Sequence, residues 1–237
     1  MIEIRGLTKR HGARTVVDRL SFTAAPGLVT GFLGPNGAGK SSTLRMLLGL
    51  DRIDGGRATV NGVPYTSLRR PATVVGAQLD IGGAHPQHTA RAHLSWIARA
   101  SGIPLERVDE VLDEVELERA ARARVRTFSL GMGQRLNLAA ALLGDPTTVI
   151  MDEPVNGLDP AGIRWMRSFT RRLADEGRTV LLSSHLMTEI AKVADHLVVI
   201  DHGRLVAAGA PDELTAGHDS LEDAFFALTA EAGEAVS

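Results

Sequence analysis

The stretch Gly34-Pro35-Asn36-Gly37-Ala38-Gly39-Lys40-Ser41 sets glycines, a lysine and a hydroxyl at the spacing G-x-x-x-x-G-K-[ST]. Glycines let a backbone wrap closely around an anion and turn its N–H groups inward. A lysine there reaches the β- and γ-phosphates of a nucleoside triphosphate, and the Ser41 hydroxyl can ligate Mg²⁺; Ser42 adds a second hydroxyl. The context suits a phosphate cradle. An apolar run from Gly27 to Leu33 reads as a strand entering the loop, and Leu44, Leu47, Leu48 and Leu50 read as a helix leaving it. That helix would add the positive end of its dipole. The bland alternative, an ordinary glycine turn, explains neither the lysine nor the flanking elements.

A second constellation is Thr148-Val149-Ile150-Met151-Asp152-Glu153, an apolar strand ending in two carboxylates. Such a strand end lies at the sheet edge where α/β proteins place ligands. Asp152 suits Mg²⁺ held through its water shell, and Glu153 suits the orientation or deprotonation of an attacking water. Alone the pair would read as solvated or capping acids; beside a phosphate cradle the metal reading prevails.

The elements needed to hold these residues are legible. Residues 2–4 and 15–23 read as short strands joined at His11-Gly12, and Arg57 to Val60 as another that turns at Asn61-Gly62. Segments 89–101, 106–115 and 131–143 have helical spacing. Val149 to Met151, Val180 to Leu182 and Leu197 to Ile200 are unbroken apolar runs, as expected of parallel strands covered on both faces. Asp159 is placed to cap a helix that begins at Pro160 and ends before Gly177. The result is an α/β core at 1–85 and 144–212, a helical insert at 86–143, a C-terminal helix at 213–229 and a frayed tail at 230–237.

The 237 residues carry a net charge of −2 and a pI near 6.4, so nothing in the whole attracts nucleic acid. The arginines at 122, 124 and 126 read as a solvated local cluster. Absence of cysteine excludes disulfides and thiolate sites. Met1-Ile2-Glu3-Ile4-Arg5 does not read as a signal peptide, and no apolar run reaches the roughly 18–20 residues that cross a bilayer. A membrane role is therefore expected only through a partner.

Further motifs extend the pattern. Phe128-Ser129-Leu130-Gly131-Met132 precedes Gln134-Arg135, Asn156-Gly157-Leu158-Asp159 follows the acidic pair, and Ser184-His185 follows the next strand. With the cradle and the acidic pair these resemble, in order and spacing, the nucleotide-binding domain of ABC transporters over residues 2 to 212. The resemblance implies an α/β fold with a P-loop NTPase core of mainly parallel sheet, an N-terminal antiparallel β subdomain and an inserted helical subdomain carrying the signature. It implies ATP and Mg²⁺ as cofactors, and two such subunits facing head to tail. Ser129 and Gly131 of one would meet the γ-phosphate held by Lys40 of the other. His185 would contact the same phosphate, Asp159 would lie in the D-loop, and Lys40, Glu153 and His185 would act in catalysis. A strand-end histidine taken alone would read as structural. The implied pair is an ATP-dependent homodimer joined to a separate transmembrane permease, cytoplasmic and peripheral on the inner face of the cell membrane.

Two positions depart from the family pattern. An aromatic ring usually stacks on adenine where His11 stands; imidazole stacks more weakly, which loosens base selectivity, and a plain turn residue is the other reading. In Val75-Gly76-Ala77-Gln78-Leu79-Asp80 the usual glutamine position holds Asp80, with Gln78 two places early. Asp80 is taken as the residue that organises Mg²⁺ and water. His85, Pro86, His88, Leu94 and Trp96 are candidates for the permease contact, against plain core or loop packing. The signature variant, the acid at 80 and the Ser220 to Thr229 close resemble drug-resistance-type exporters, which implies export of a drug-like or hydrophobic compound. An importer subunit more often keeps Leu-Ser-Gly-Gly-Gln. A soluble ABC ATPase of ribosomes or DNA would show two domains, a coiled coil or a basic face, and a non-hydrolysing regulator would lack Glu153 or His185.

Overall fold

In a computed structural model, residues 1–79 and 83–234 are described, with the side chains of 228 and 230–234 excluded. The chain opens with β1 (Ile2–His11) and β2 (Arg14–Ala24), then β3 (Val29–Leu33), α1 (Lys40–Leu47), β4 (Gly55–Val60) and β5 (Val75–Gln78). The helical insert is α2 (Ala90–Ala100), α3 (Glu106–Glu114) and α4 (Leu130–Leu142). The core resumes with β6 (Thr148–Asp152), α5 (Pro160–Asp175), β7 (Thr179–Ser184), α6 (Met187–Ala191), β8 (His196–Asp201) and β9 (Arg204–Gly209). It closes with α7 (Pro211–Thr215) and α8 (Leu221–Glu234), so the stretch expected as a tail overlaps α8 as far as Glu234.

Two sheets form. One is antiparallel, in the order β2-β1-β4; the other runs β5-β6-β7-β3-β8-β9, parallel except for its last strand. Alternate residues of the parallel strands feed two cores. Val29, Leu33, Met151 and Leu182 face the helical side, whereas Phe32, Ile150, Leu181 and Val198 face α1 and the antiparallel sheet. Phe22 and Phe32, ring centroids 5.0 Å apart, join the two sheets. Burying each such ring contributes roughly 1.5–3 kcal/mol. Both faces are covered, which is why these strands carry no polar alternation.

Register then fixes what lies at the carboxyl edge. Asp152 sits beside Ser183, and Leu33 beside Ser184. β3 and β7 therefore end level and β6 one residue short of them, and the next residue of each is Gly34, His185 or Glu153. Among the described residues no helix is long and apolar enough to cross a membrane.

Candidate nucleotide site

The loop between β3 and α1 builds a concave backbone. Gly37 and Gly39 adopt φ of +83° and +105°, and a Cβ on Gly39 would lie 2.6 Å from the Val16 carbonyl oxygen. A non-glycine residue at 39 would thus face both backbone strain and a backbone collision. The Ala38 N–H donates to Pro35 O at 3.1 Å, and Gly203 N–H donates to Ala38 O at 2.9 Å, tying the loop to the β8–β9 turn. Lys40 is buried, its ammonium donating to the carbonyls of Gly34 at 2.7 Å and Pro35 at 3.3 Å. Arg14, Asn36, Gly37, Ser41, Ser42 and Glu153 line the adjoining hollow of about 330 Å³.

Across from the loop, Ser183 organises both acids. Its hydroxyl donates to Asp152 Oδ1, and its hydroxyl and carbonyl oxygens accept from the Glu153 N–H at 3.2 and 3.1 Å. Glu153 adopts φ of +50°, a left-handed conformation that costs on the order of 1–3 kcal/mol in a non-glycine residue. That twist turns its carboxylate toward two cations or donors. Oε2 lies 2.8 Å from His185 Nδ1 and accepts the His185 backbone N–H at 3.4 Å, while Oε1 lies 3.5 Å from Lys40 Nζ. Held through Nδ1, the imidazole has Nε2 left for another partner.

The structure brings Lys40, Asp152, Glu153 and His185 together within one chain. It sets Ser129, Gly131 and Asp159 elsewhere, around a second hollow of about 420 Å³ with Arg135 and Gly157. Ser129 caps α4, accepting from Met132 N–H at 3.3 Å, and Asp159 caps α5, accepting from Gly162 N–H at 2.7 Å. Gly157 adopts φ of +72°, a conformation that favours glycine, and a Cβ there would lie 2.7 Å from the exposed tip of Leu130, which would have to shift. His11 ends β1, exposed and opposite Arg14 across the hairpin. Asp80 lies outside the described residues.

Gln78 is buried on β5, where its amide donates to Gln134 Oε1 on α4. Leu94 is a correction: it is fully buried in the helical core with Ala90 and Ala98, because the phase of α2 turns it inward. Trp96 lies on the other face, 66% exposed, and His85, Pro86 and His88 are exposed as well. Sequence reasoning did not single out Arg14 and Val16, which line the cradle, or Ser183. For Ser183 the available signal was a hydroxyl directly after the apolar run Val180-Leu181-Leu182, next to Ser184-His185.

The sequence profile that describes ABC transporters matches residues 17–156. The chain belongs to the ABC transporter family. Its ABC relatives include the uncharacterised ABC transporter ATP-binding protein YhcH of Bacillus subtilis, 40% identical over 87% of this chain and 68% of that one. They also include the Nod factor export ATP-binding protein I of Paraburkholderia xenovorans, 42% identical over 93% of this chain and 75% of the relative. The ATP-binding subunit of an ABC transporter superposes with a TM-score of 0.85 at 27% identity, over 97% of this chain and 99% of that structure. A bacterial ABC transporter cassette solved as a dimer has TM-score 0.80 at 21% identity, over 89% of this chain and 98% of its own, and shares the fold. The protein is thus an ATP-binding, ATP-hydrolysing ABC transporter subunit.

Proposed function

We propose that this chain powers an exporter through a separately encoded permease, hydrolysing Mg-ATP between two copies of itself at the cytoplasmic face of the membrane. The observation that carries the catalytic reading is the chain of contacts from Lys40 through Glu153 to His185, beside a glycine-lined hollow. The loop N–H groups of residues 34–39 and the Lys40 ammonium hold the phosphates, with Ser42 at the rim. Ser41 and Asp152 are hard oxygen donors of the kind Mg²⁺ takes, and the Ser183 hydroxyl fixes the Asp152 carboxylate for that purpose. Mg²⁺ would neutralise phosphate charge. Asp80 keeps the water- and metal-organising role that the family likeness assigns it.

Glu153 orients the attacking water and takes its proton, a role typically worth about 10²–10⁴ in rate. His185, oriented by the same carboxylate, meets the γ-phosphate. The hollow at Ser129 and Gly131 lies apart from the cradle, so its cap hydroxyl, N–H groups and helix dipole serve the nucleotide of the second copy, with Asp159 in the adjoining loop. His11 and Arg14 flank the base side of the cradle. Export is supported by the Nod factor export relatives. Exposed Trp96, His85, Pro86 and His88 form the permease-facing surface.

The test is steady-state ATP hydrolysis by the purified chain over a tenfold range of concentration. Specific activity that rises with concentration supports the shared site; activity per chain that stays constant and high at every dilution overturns it.

A further inference from the structure

We propose that Arg135, Glu116 and Trp165 form a clamp that presents the signature loop and the 156–159 loop to a second copy of the chain as one surface. ATP-driven pairing then depends on these three positioning residues. The inference rests on the two-copy reading above and goes beyond it, because Glu116 and Trp165 line neither hollow and Arg135 borders only the second.

The geometry joins three elements distant in sequence. Glu116, in the turn after α3, accepts from Arg135 of α4 at 2.6 Å and from the Trp165 indole N–H of α5 at 3.0 Å, one carboxylate oxygen for each. The Arg135 guanidinium carbon lies 4.0 Å over the centre of the Trp165 ring, a cation–π stack, and its Nη1 also donates to Val115 O at 3.3 Å. Every pair within the triad is therefore in direct contact. Trp165 in turn stacks on Phe169, centroids 4.8 Å apart, and Arg172 lies over Phe169 at 4.5 Å. Arg135 also keeps the Glu116 carboxyl below its ordinary range.

Placement gives the clamp its consequence. Arg135 follows the Ser129 cap on α4 by about 1.7 helical turns, and Trp165 follows the Asp159 cap on α5 by the same interval. Each helix is stiff over that distance, so fixing Arg135 to Trp165 fixes Ser129 relative to Asp159. At the mouth of the same hollow, Leu130 of the signature packs against Gly157. The two loops are pinned front and back. A second copy that recognises both loops finds them preset, and ordering them at the moment of pairing is avoided.

The experiment uses the full chain carrying Glu153→Gln, with Mg-ATP, and reads the monomer–dimer constant by analytical ultracentrifugation and ATP affinity of the dilute monomer by fluorescence. Trp165→Leu is expected to weaken ATP-driven pairing about tenfold while monomer affinity stays within about twofold. Glu116 is mostly exposed, so Glu116→Ala keeps the fold and decides the matter should Trp165→Leu not fold. It is expected to weaken pairing by about threefold or more, and Glu116→Gln, still able to accept the indole N–H, recovers part of that loss. Pairing by Glu116→Ala equal to the parent overturns the clamp, as does a loss of monomer ATP affinity that matches the loss of pairing. If the Glu153→Gln parent itself does not pair, the two-copy reading fails and the clamp falls with it. That outcome is separate from a parent that pairs and variants that pair equally well.

Discussion

Glu153 Oε2 and His185 Nδ1 lie 2.8 Å apart, although the two residues leave different strands of the parallel sheet. The contact follows from register: β6 ends one residue short of β7, and the left-handed turn at Glu153 swings its carboxylate sideways across the strand ends. The same carboxylate reaches Lys40 at 3.5 Å. One acid thus aligns a histidine and a lysine, which makes it the position whose change separates binding from chemistry.

Glu153→Gln keeps the side-chain shape and removes the base. ATP hydrolysis is expected to fall by about 10²–10⁴, with ATP binding kept and an ATP-held dimer favoured. Steady-state turnover beside equilibrium nucleotide binding checks this; turnover at the parent rate would remove Glu153 from the base role.

Lys40→Ala acts earlier in the sequence of events. It removes the ammonium that the cradle holds against Gly34 and Pro35, so ATP affinity itself is expected to drop, by about tenfold or more. Tight ATP binding by this variant, measured calorimetrically, would count against the cradle.

The buried amides of Gln78 and Gln134 share one hydrogen bond, and Gln78 Oε1 and Gln134 Nε2 find no partner among the described residues. Replacing either glutamine alone by methionine leaves the other amide buried and unpaired, at a cost of about 1–3 kcal/mol. The double replacement is expected to recover most of that, because an apolar pair of similar volume needs no partner. Urea denaturation of the two single variants and the double gives the answer; additive losses would refute the pairing.

His93 is buried on α2, and burial lowers its pKa, with nearby His88 acting in the same direction. The unfolded chain then takes up the proton first, at about pH 6.5. Stability is full above that value and falls as the pH drops through it toward the lower folded value, by no more than about 1.4 kcal/mol per pH unit for one proton. His93→Gln should flatten this part of the profile. Denaturation midpoints at pH 7.5 and 5.5, compared between the two proteins, isolate it from the acids they share; equal slopes would exclude His93 as the source.

Sequence legibility follows from how local each signal is. The cradle is a contiguous run whose residue types have one chemical use together, and the acids at the end of β6 inherit their place from an apolar strand that can only be buried. Strand β5, Val75–Gln78, was harder to see, because it holds one large aliphatic residue and owes its conformation to β6 beside it. Strand β9 is an antiparallel edge strand, partly exposed, and its run Leu205-Val206-Ala207-Ala208 ends in two alanines, a weaker signal than the large aliphatics of its neighbour β8. Leu94 and Trp96 sit two residues apart, and only the packed phase of α2 tells which faces the core. The clamp was illegible for another reason. Glu116, Arg135 and Trp165 are each ordinary in their own segments, and their meaning is a meeting that tertiary structure makes.

Gly157 answers to its own backbone more than to Leu130 beside it. A side chain at 157 would need only the exposed tip of Leu130 to give way, whereas the φ of +72° would strain it whatever stands at 130. Across sequences of this kind position 157 should therefore stay glycine, with asparagine or aspartate as the tolerated exceptions, whether position 130 is leucine or glycine. Grafting the commoner signature onto this chain would accordingly leave the neighbouring loop as demanding of glycine as before.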